Sequence, residues 1–252
     1  WDTTQQCLHP WVQYALKSES ERRSKHMDST LNETWSHVME GFEQTDKGGH
    51  RDWFTLERAI KNSGWCPRKL RQFEKVTKPF IKVTPPFCTP NEINWEQISL
   101  KDLIHLDVHY SELPRRLEIP DEWIIRIVEV LRRNLELAVE LENEIGGYGL
   151  SLSCSLTPEK NTDDSYSRTY GLSAWVLLFV SYLEKLVLID LDAARKELSR
   201  WPCDDSTIFA RLKIWALGKT NLVPNESIIT TLNQLSDEAF WDSYHARDLL
   251  LA

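Results

Sequence analysis

Three features of the sequence predict an all-α fold. Only nine glycines occur in 252 residues and Leu, Glu, Arg and Lys are abundant, a balance that favours helix over sheet. One run, from Pro120 to Gly146, repeats apolar residues at steps of three and four throughout. The last third is a series of apolar segments, all after the first opened by a helix-capping residue or a proline. Together they predict an irregular helical first part followed by degenerate helical hairpins of the HEAT or armadillo kind.

In chain order, Pro10 precedes an apolar cluster at Trp11, Tyr14, Ala15 and Leu16. Thr30-Leu31-Asn32-Glu33 has the form of a capping box, in which the Thr and Glu side chains satisfy the first free backbone N–H groups. It opens a helix with Leu31, Trp35, Val38, Met39 and Phe42 on one face, ended by Lys47-Gly48-Gly49-His50. Asp52 is placed to cap a following helix with Trp53, Leu56 and Ile60 inward, and Ser63-Gly64 closes it. Val76 to Pro86 carries three prolines among β-branched residues, which reads as a loop or linker with room for one short extended piece. Ser99 then caps a predicted short helix carrying Leu103, Ile104, Leu106 and Val108.

Pro120 stands at a first helical position. The helix it opens has Trp123, Ile124, Ile127, Val128, Leu131, Leu135, Ala138, Val139, Leu141 and Ile145 on one face and charges on the other. Gly146-Gly147 ends it, and residues 146–170, rich in Gly, Ser, Asn and Asp, read as a long loop. Five helices follow: Leu172–Ile189, one capped by Asp190 or Asp192, one capped around Asp204-Asp205-Ser206 and ended by Gly218, one opened by Pro224-Asn225, and one opened by Ser236-Asp237. The expected organisation is therefore 1–95 as an irregular helical region with a Pro-rich linker near 76–95, 96–150 as a region built on the long helix, 151–170 as a loop, and 171–252 as hairpins. The start at Trp1 and the apolar finish at Leu250-Leu251-Ala252 suggest a segment cut from a longer polypeptide, its hairpins continuing onward.

Composition narrows the function classes. A net charge of −8 argues against a general affinity for nucleic acid or anionic membrane. The most apolar stretch, Leu172–Ile189, is interrupted by Glu184 and Lys185 and is expected to be a helix buried in protein rather than a membrane span. Cys7, Cys66, Cys88, Cys154 and Cys203 are odd in number, scattered, and free of any CxxC pair. Free, buried thiols in a reducing, cytoplasmic compartment are expected.

Few constellations point to chemistry. His105 and His109, at i and i+4 on the predicted short helix, have the spacing of a zinc pair, but Leu106 stands where a zincin needs glutamate and no third ligand presents itself. Gly146-Gly147-Tyr148-Gly149 follows a helix instead of a strand, so it reads as a C-cap and not a phosphate loop. No catalytic set, cofactor site or metal site is expected in this segment. Lys61, Arg68, Lys69, Arg71, Lys75, Lys78 and Lys82 form a local basic run against Glu74 alone, with Trp65, Phe73 and Phe80 interleaved. Such a run is most often a solvated helix face or a contact with an acidic neighbour; the sharper alternative is a nucleic-acid groove. Of the eleven tryptophans, Trp123, Trp175, Trp215 and Trp241 fall on apolar helix faces and are expected in the core.

Two late blocks add a resemblance. Ile208–Ala216, with Arg211 and Lys213 set opposite Phe209, Leu212 and Trp215, is followed by Phe240–Leu251, with Trp241-Asp242 and Arg247-Asp248 placed to brace a helix pair. This last fifth of the chain resembles the helical region downstream of sirtuin-like domains in very large bacterial proteins implicated in anti-phage defence. The resemblance implies a parent with a separate NAD-hydrolysing domain outside this segment. The segment itself would be a non-catalytic interaction or regulatory scaffold contacting other domains of the same polypeptide, a protein partner or a phage protein, away from membranes.

Overall fold

A computed structural model describes residues 22, 49–84, 105–111, 117–150, 156, 171–233, 235–242, 245 and 249–250. The chain divides into two units, Trp1–Gly48 and Gly49–Ala252, and every element below belongs to the second. Among the described residues the protein is mainly helical, with eight α-helices and one two-stranded sheet. The helices expected around Trp11–Leu16 and Leu31–Phe42, the cap at Ser99, Leu103, Ile104, nearly all of the loop 151–170, Arg247 and Asp248 lie outside the described residues.

Helix α1 (Gly49–Ser63) buries Trp53, Leu56 and Ile60, as their spacing requires. It starts before Asp52, which therefore sits in the first turn and not at the cap. Gly64 closes it at φ +68°, where a Cβ is penalised, and its N–H reaches the Ile60 carbonyl at 2.8 Å. Helix α2 (Pro67–Thr77) follows after three residues, with Pro67 in its first turn, where no N–H is needed. It buries Lys69, Phe73 and Thr77, spaced by four.

Strands β1 (Phe80–Thr84) and β2 (His105–His109) pair antiparallel, Phe80 opposite His109 and Thr84 opposite His105. The extended piece allowed for in the proline-rich segment is thus β1. The short helix expected to carry Leu106 and Val108 is instead β2. Its burial does not alternate: Leu106 and Val108 share one strand face, yet Leu106 is exposed and Val108 buried, so that face is covered only towards the end of β2. Four apolar residues in six do not distinguish a strand from one helical turn; the pairing with β1 decides it.

Helix α3 (Asp121–Ile145) is the long amphipathic element. Pro120 serves as its N-cap and Asp121 is its first residue, one position later than expected; Gly146, at φ 114°, ends it. Helix α4 (Gly171–Ile189) packs along α3, and α2 and the sheet also lie on α3. An aromatic chain links these layers: Trp175 of α4 stacks on Trp53 of α1 at 6.4 Å, Trp53 meets Phe73 of α2 edge-on, and Trp65 lies between Phe73 and Trp123 of α3. Such aromatic pairs contribute about 0.5–1.5 kcal/mol each beyond area burial.

Among the described residues α4 is the one helix long and apolar enough to cross a membrane. Leu172, Trp175, Val176, Phe179, Val180, Leu183 and Leu186 are buried in the protein's own core. Three polar bonds tie it further: Trp175 Nε1 donates to the Ser111 carbonyl, Tyr182 Oη to Leu117, and Lys185 Nζ to Ile119.

Helix α5 (Leu191–Leu198) packs back on α4, and Asp190 rather than Asp192 caps it, accepting from the Ala193 N–H at 2.9 Å. Helix α6 (Ile208–Leu217) is capped by the Asp205 carboxylate, which accepts from the Thr207 and Phe209 N–H groups. Helices α7 (Asn225–Leu232) and α8 (Asp237–Trp241) follow, α8 capped by Ser236 as expected.

Candidate interaction surfaces

The basic run does not form one cluster. Lys61 is exposed on α1 and forms an ion pair with Glu57, one turn earlier, at 2.7 Å. Lys69 is only 7% exposed. Its ammonium donates to the Ser63 hydroxyl at 2.7 Å and to the Gly64 carbonyl, so it closes the C-terminus of α1. A cation suits the partial negative charge of a helix C-terminus, and Lys69 belongs to the core side of α2. Arg68 is half-buried. Arg71, Lys75 and Lys78 are exposed, and none has an ion-pair partner among the described residues. Glu74, the lone acid of the run, pairs with Arg133 of α3 at 3.1 Å.

Two of the interleaved aromatics are not surface groups. Phe73 is fully buried, and Trp65 packs on Trp123 while its Nε1 donates to the Glu118 carbonyl at 3.2 Å. Phe80 is the aromatic left outside, 51% exposed, its ring 4.9 Å from the His109 imidazole across the ladder. From Lys78 the backbone is extended, so side chains alternate. Pro79 is buried and Ile81 half-buried, while Lys78, Phe80 and Lys82 are exposed. On α2, Arg71 and Lys75 lie one turn apart on the face opposite Lys69, Phe73 and Thr77, and Lys78 follows as the extended C-cap. Lys78 therefore joins a cationic helix face to an exposed sheet face. Asp107 stands opposite Lys82 in the ladder and is the acid on that face.

Below this surface the hairpin is held by hydrogen bonds. Ser111 Oγ donates to the Val76 carbonyl, and Asn134 Nδ2 of α3 donates to Thr77 Oγ1 at 2.6 Å. Thr77 Oγ1 in turn donates to the Phe73 carbonyl at 2.8 Å. The exposed path is thus anchored to the long helix.

The two histidines do not form a metal pair. Residues i and i+4 on a strand lie about 13 Å apart, whereas one helical turn separates them by about 6 Å. Among the described residues no group of three His, Cys, Asp or Glu is placed to hold a metal ion. Cys203 is exposed and Cys66 half-buried, both free thiols, so the expectation that each cysteine is buried fails at Cys203; Cys7, Cys88 and Cys154 lie outside the described residues.

One buried acid went unremarked in the sequence, although its spacing marks it. Glu142, three, four and seven residues after Val139, Ala138 and Leu135, falls on the apolar face of α3 and accepts from Tyr110 Oη at 2.7 Å and from the Gly149 N–H at 3.0 Å. Burial and then the Glu142 hydrogen bond raise the Tyr110 phenol well above its ordinary range. Gly149 leaves space for the carboxylate: a Cβ there would lie 2.1 Å from Glu142 Oε1.

The C-terminal blocks divide into core and surface. Every residue of α6 is buried, Arg211 and Lys213 included. These two were expected on the side of the helix away from Phe209, Leu212 and Trp215. The helix instead is enclosed on all sides, and Lys213 Nζ donates to the Pro202 carbonyl at 2.6 Å. Trp215 is in the core as expected, with Lys219 Nζ 5.2 Å above its ring and 2.8 Å from Glu184. Trp241, expected in the core, is 78% exposed, with Phe240 packed edge-on against it. Helix α7 buries none of its residues, and Ile229 on it is 70% exposed. Leu188, Ile189 and Leu250 add to this exposed apolar set.

No family model, no curated protein and no solved structure matches this chain.

Proposed function

We propose that this chain is a non-catalytic interaction and regulatory scaffold of a large cytoplasmic bacterial defence protein, whose NAD-hydrolysing domain lies outside it. The observation that carries the interaction role is the exposure of Ile229 and Trp241 on α7 and α8. Large apolar side chains on successive helices are what a partner surface or a neighbouring repeat covers. Trp is also the residue most enriched at such anchors. The bacterial defence setting rests on the resemblance of Ile208–Ala216 and Phe240–Leu251 to helical regions that follow sirtuin-like domains. In this reading α4 to α8 are degenerate helical hairpins of the HEAT or armadillo kind, and their apolar end contacts other domains of the polypeptide or a phage component.

The test is NAD consumption by the parent protein with the segment present, deleted, supplied alone, or carrying Ile229→Ser with Trp241→Ser. The segment alone should consume none. Deletion and the double substitution should make the parent either constitutively active or unresponsive to infection. Hydrolysis by the segment alone, or a parent whose response survives both changes, sinks the proposal.

A further inference from the structure

We infer that the exposed path Arg71–Lys75–Lys78–Phe80–Lys82 is a binding site for single-stranded nucleic acid. The residues between 61 and 82 carry seven cations and one acid in a chain of net charge −8, so basic charge is concentrated here against the sign of the whole. The fold sorts that charge. Lys69 is withdrawn to close α1, Lys61 is paired with Glu57, and Glu74 is drawn off to Arg133. What remains outward is Arg71 and Lys75 along one face of α2, Lys78 at its C-cap, then Phe80 and Lys82 on one strand face. Arg71, Lys75 and Lys78, with no ion-pair partner among the described residues, repel one another, an arrangement that a polyanion relieves.

The aromatic decides between polyanions. Phe80 is half-exposed beside His109, on the same sheet face as Lys82 and next to Lys78. A flat ring set between phosphate-binding cations is a stacking platform for an unpaired base. A duplex keeps its base faces covered and cannot use it, and an acidic protein surface has no need of it. The mode is sequence-tolerant, because every base has a face to stack. DNA and RNA single strands share this chemistry.

The experiment is fluorescence anisotropy of the 252-residue chain with labelled single-stranded oligo-dT and oligo-rU of about 20 nucleotides, across a salt series. Duplex DNA of equal length and poly-glutamate serve as competitors. Four phosphate contacts give a slope of log K against log salt of about −2.8, and the triple variant Arg71→Glu, Lys75→Glu, Lys78→Glu should leave about −0.7 at most. Phe80→Ala should weaken binding about 5- to 150-fold while leaving that slope unchanged. Arg126→Glu, on the exposed side of α3, should do neither. All substituted side chains are exposed, and circular dichroism melts check the fold of each variant. Preference for dT or rU supports the site and names the source; equal binding supports it as well. Absence of binding at low salt, equal loss in Arg126→Glu, a tighter duplex, or competition by poly-glutamate with Phe80→Ala silent would each overturn it, the last pointing to an acidic protein.

Discussion

Lys69 carries an ammonium in the protein interior because the end of α1 needs donors. The last carbonyls of a helix have no partner within it, and the Lys69 side chain reaches from the first turn of α2 to Gly64 and the Ser63 hydroxyl. Hydrogen bonds to charged groups contribute about 1.5–3 kcal/mol, so Lys69→Ala should destabilise the fold by that order. Urea unfolding measures it. The same variant should leave the salt slope for oligonucleotides unchanged, and a fall in slope would place Lys69 on the surface after all. Lys75, six residues further on, has the same chemistry but the opposite role, since six residues leave it about 120° round the helix from Lys69. Composition marks both as basic; only the helical phase, set by Phe73 and Thr77 facing the core, tells them apart.

At the scale of elements, caps and stops are the most legible features. Gly64, Gly146, Pro224 and Ser236 mark ends because their backbone or side-chain chemistry acts within a few residues. Asp190 is such a cap, and Asp190→Ala should cost about 1 kcal/mol through loss of its bond to the Ala193 N–H. Chemical denaturation checks this, and Asp192→Ala is the matched control, since that carboxylate is almost fully exposed and reaches Arg195 only at 4.0 Å. If both substitutions cost the same, the cap is misassigned. The β-hairpin was not legible in this way. Only its extended first half shows in Lys78–Thr84; β2 is defined by a partner more than twenty residues earlier, and its apolar residues satisfy a helical reading equally well. Helix α2 was also silent, because its inward face includes a lysine and a threonine.

At the scale of the whole molecule, α3 and α5 are joined by a charge network. Arg132 lies 2.7 Å from Glu197 and 2.6 Å from Glu136, and Arg200 reaches both Glu129 and Glu197. Burial raises the Glu197 carboxyl above its ordinary range, and the opposing pull of Arg132 and Arg200 does not cancel it. A carboxyl with a raised folded-state pKa binds its proton more tightly in the native protein. Its contribution to stability is present below the unfolded-state pKa, about 4.3, and is lost as pH rises through the folded value. Unfolding free energy measured across that window should fall more steeply with pH in the native chain than in Glu197→Gln. An unchanged slope in the variant would show that the ion pairs outweigh desolvation. The exposed Ile229 and Trp241 also belong to this scale: their helical spacing reads as a core face, and only the arrangement of α6, α7 and α8 leaves them uncovered.

The sequence by itself determined that the protein is mainly helical, where the long helix α3 and the tandem α4 to α8 lie, and which residues cap them. It could do so because hydrophobic period, capping and glycine stops are short-range physics. Only the tertiary structure decided which face of each helix is covered. It enclosed Arg211 and Lys213 in the core, put Trp241 in solvent, made His105–His109 a strand, and sorted the basic run into a buried cap and an exposed path beside Phe80. Burial and strand pairing depend on residues far apart in the chain, and no local pattern carries that information.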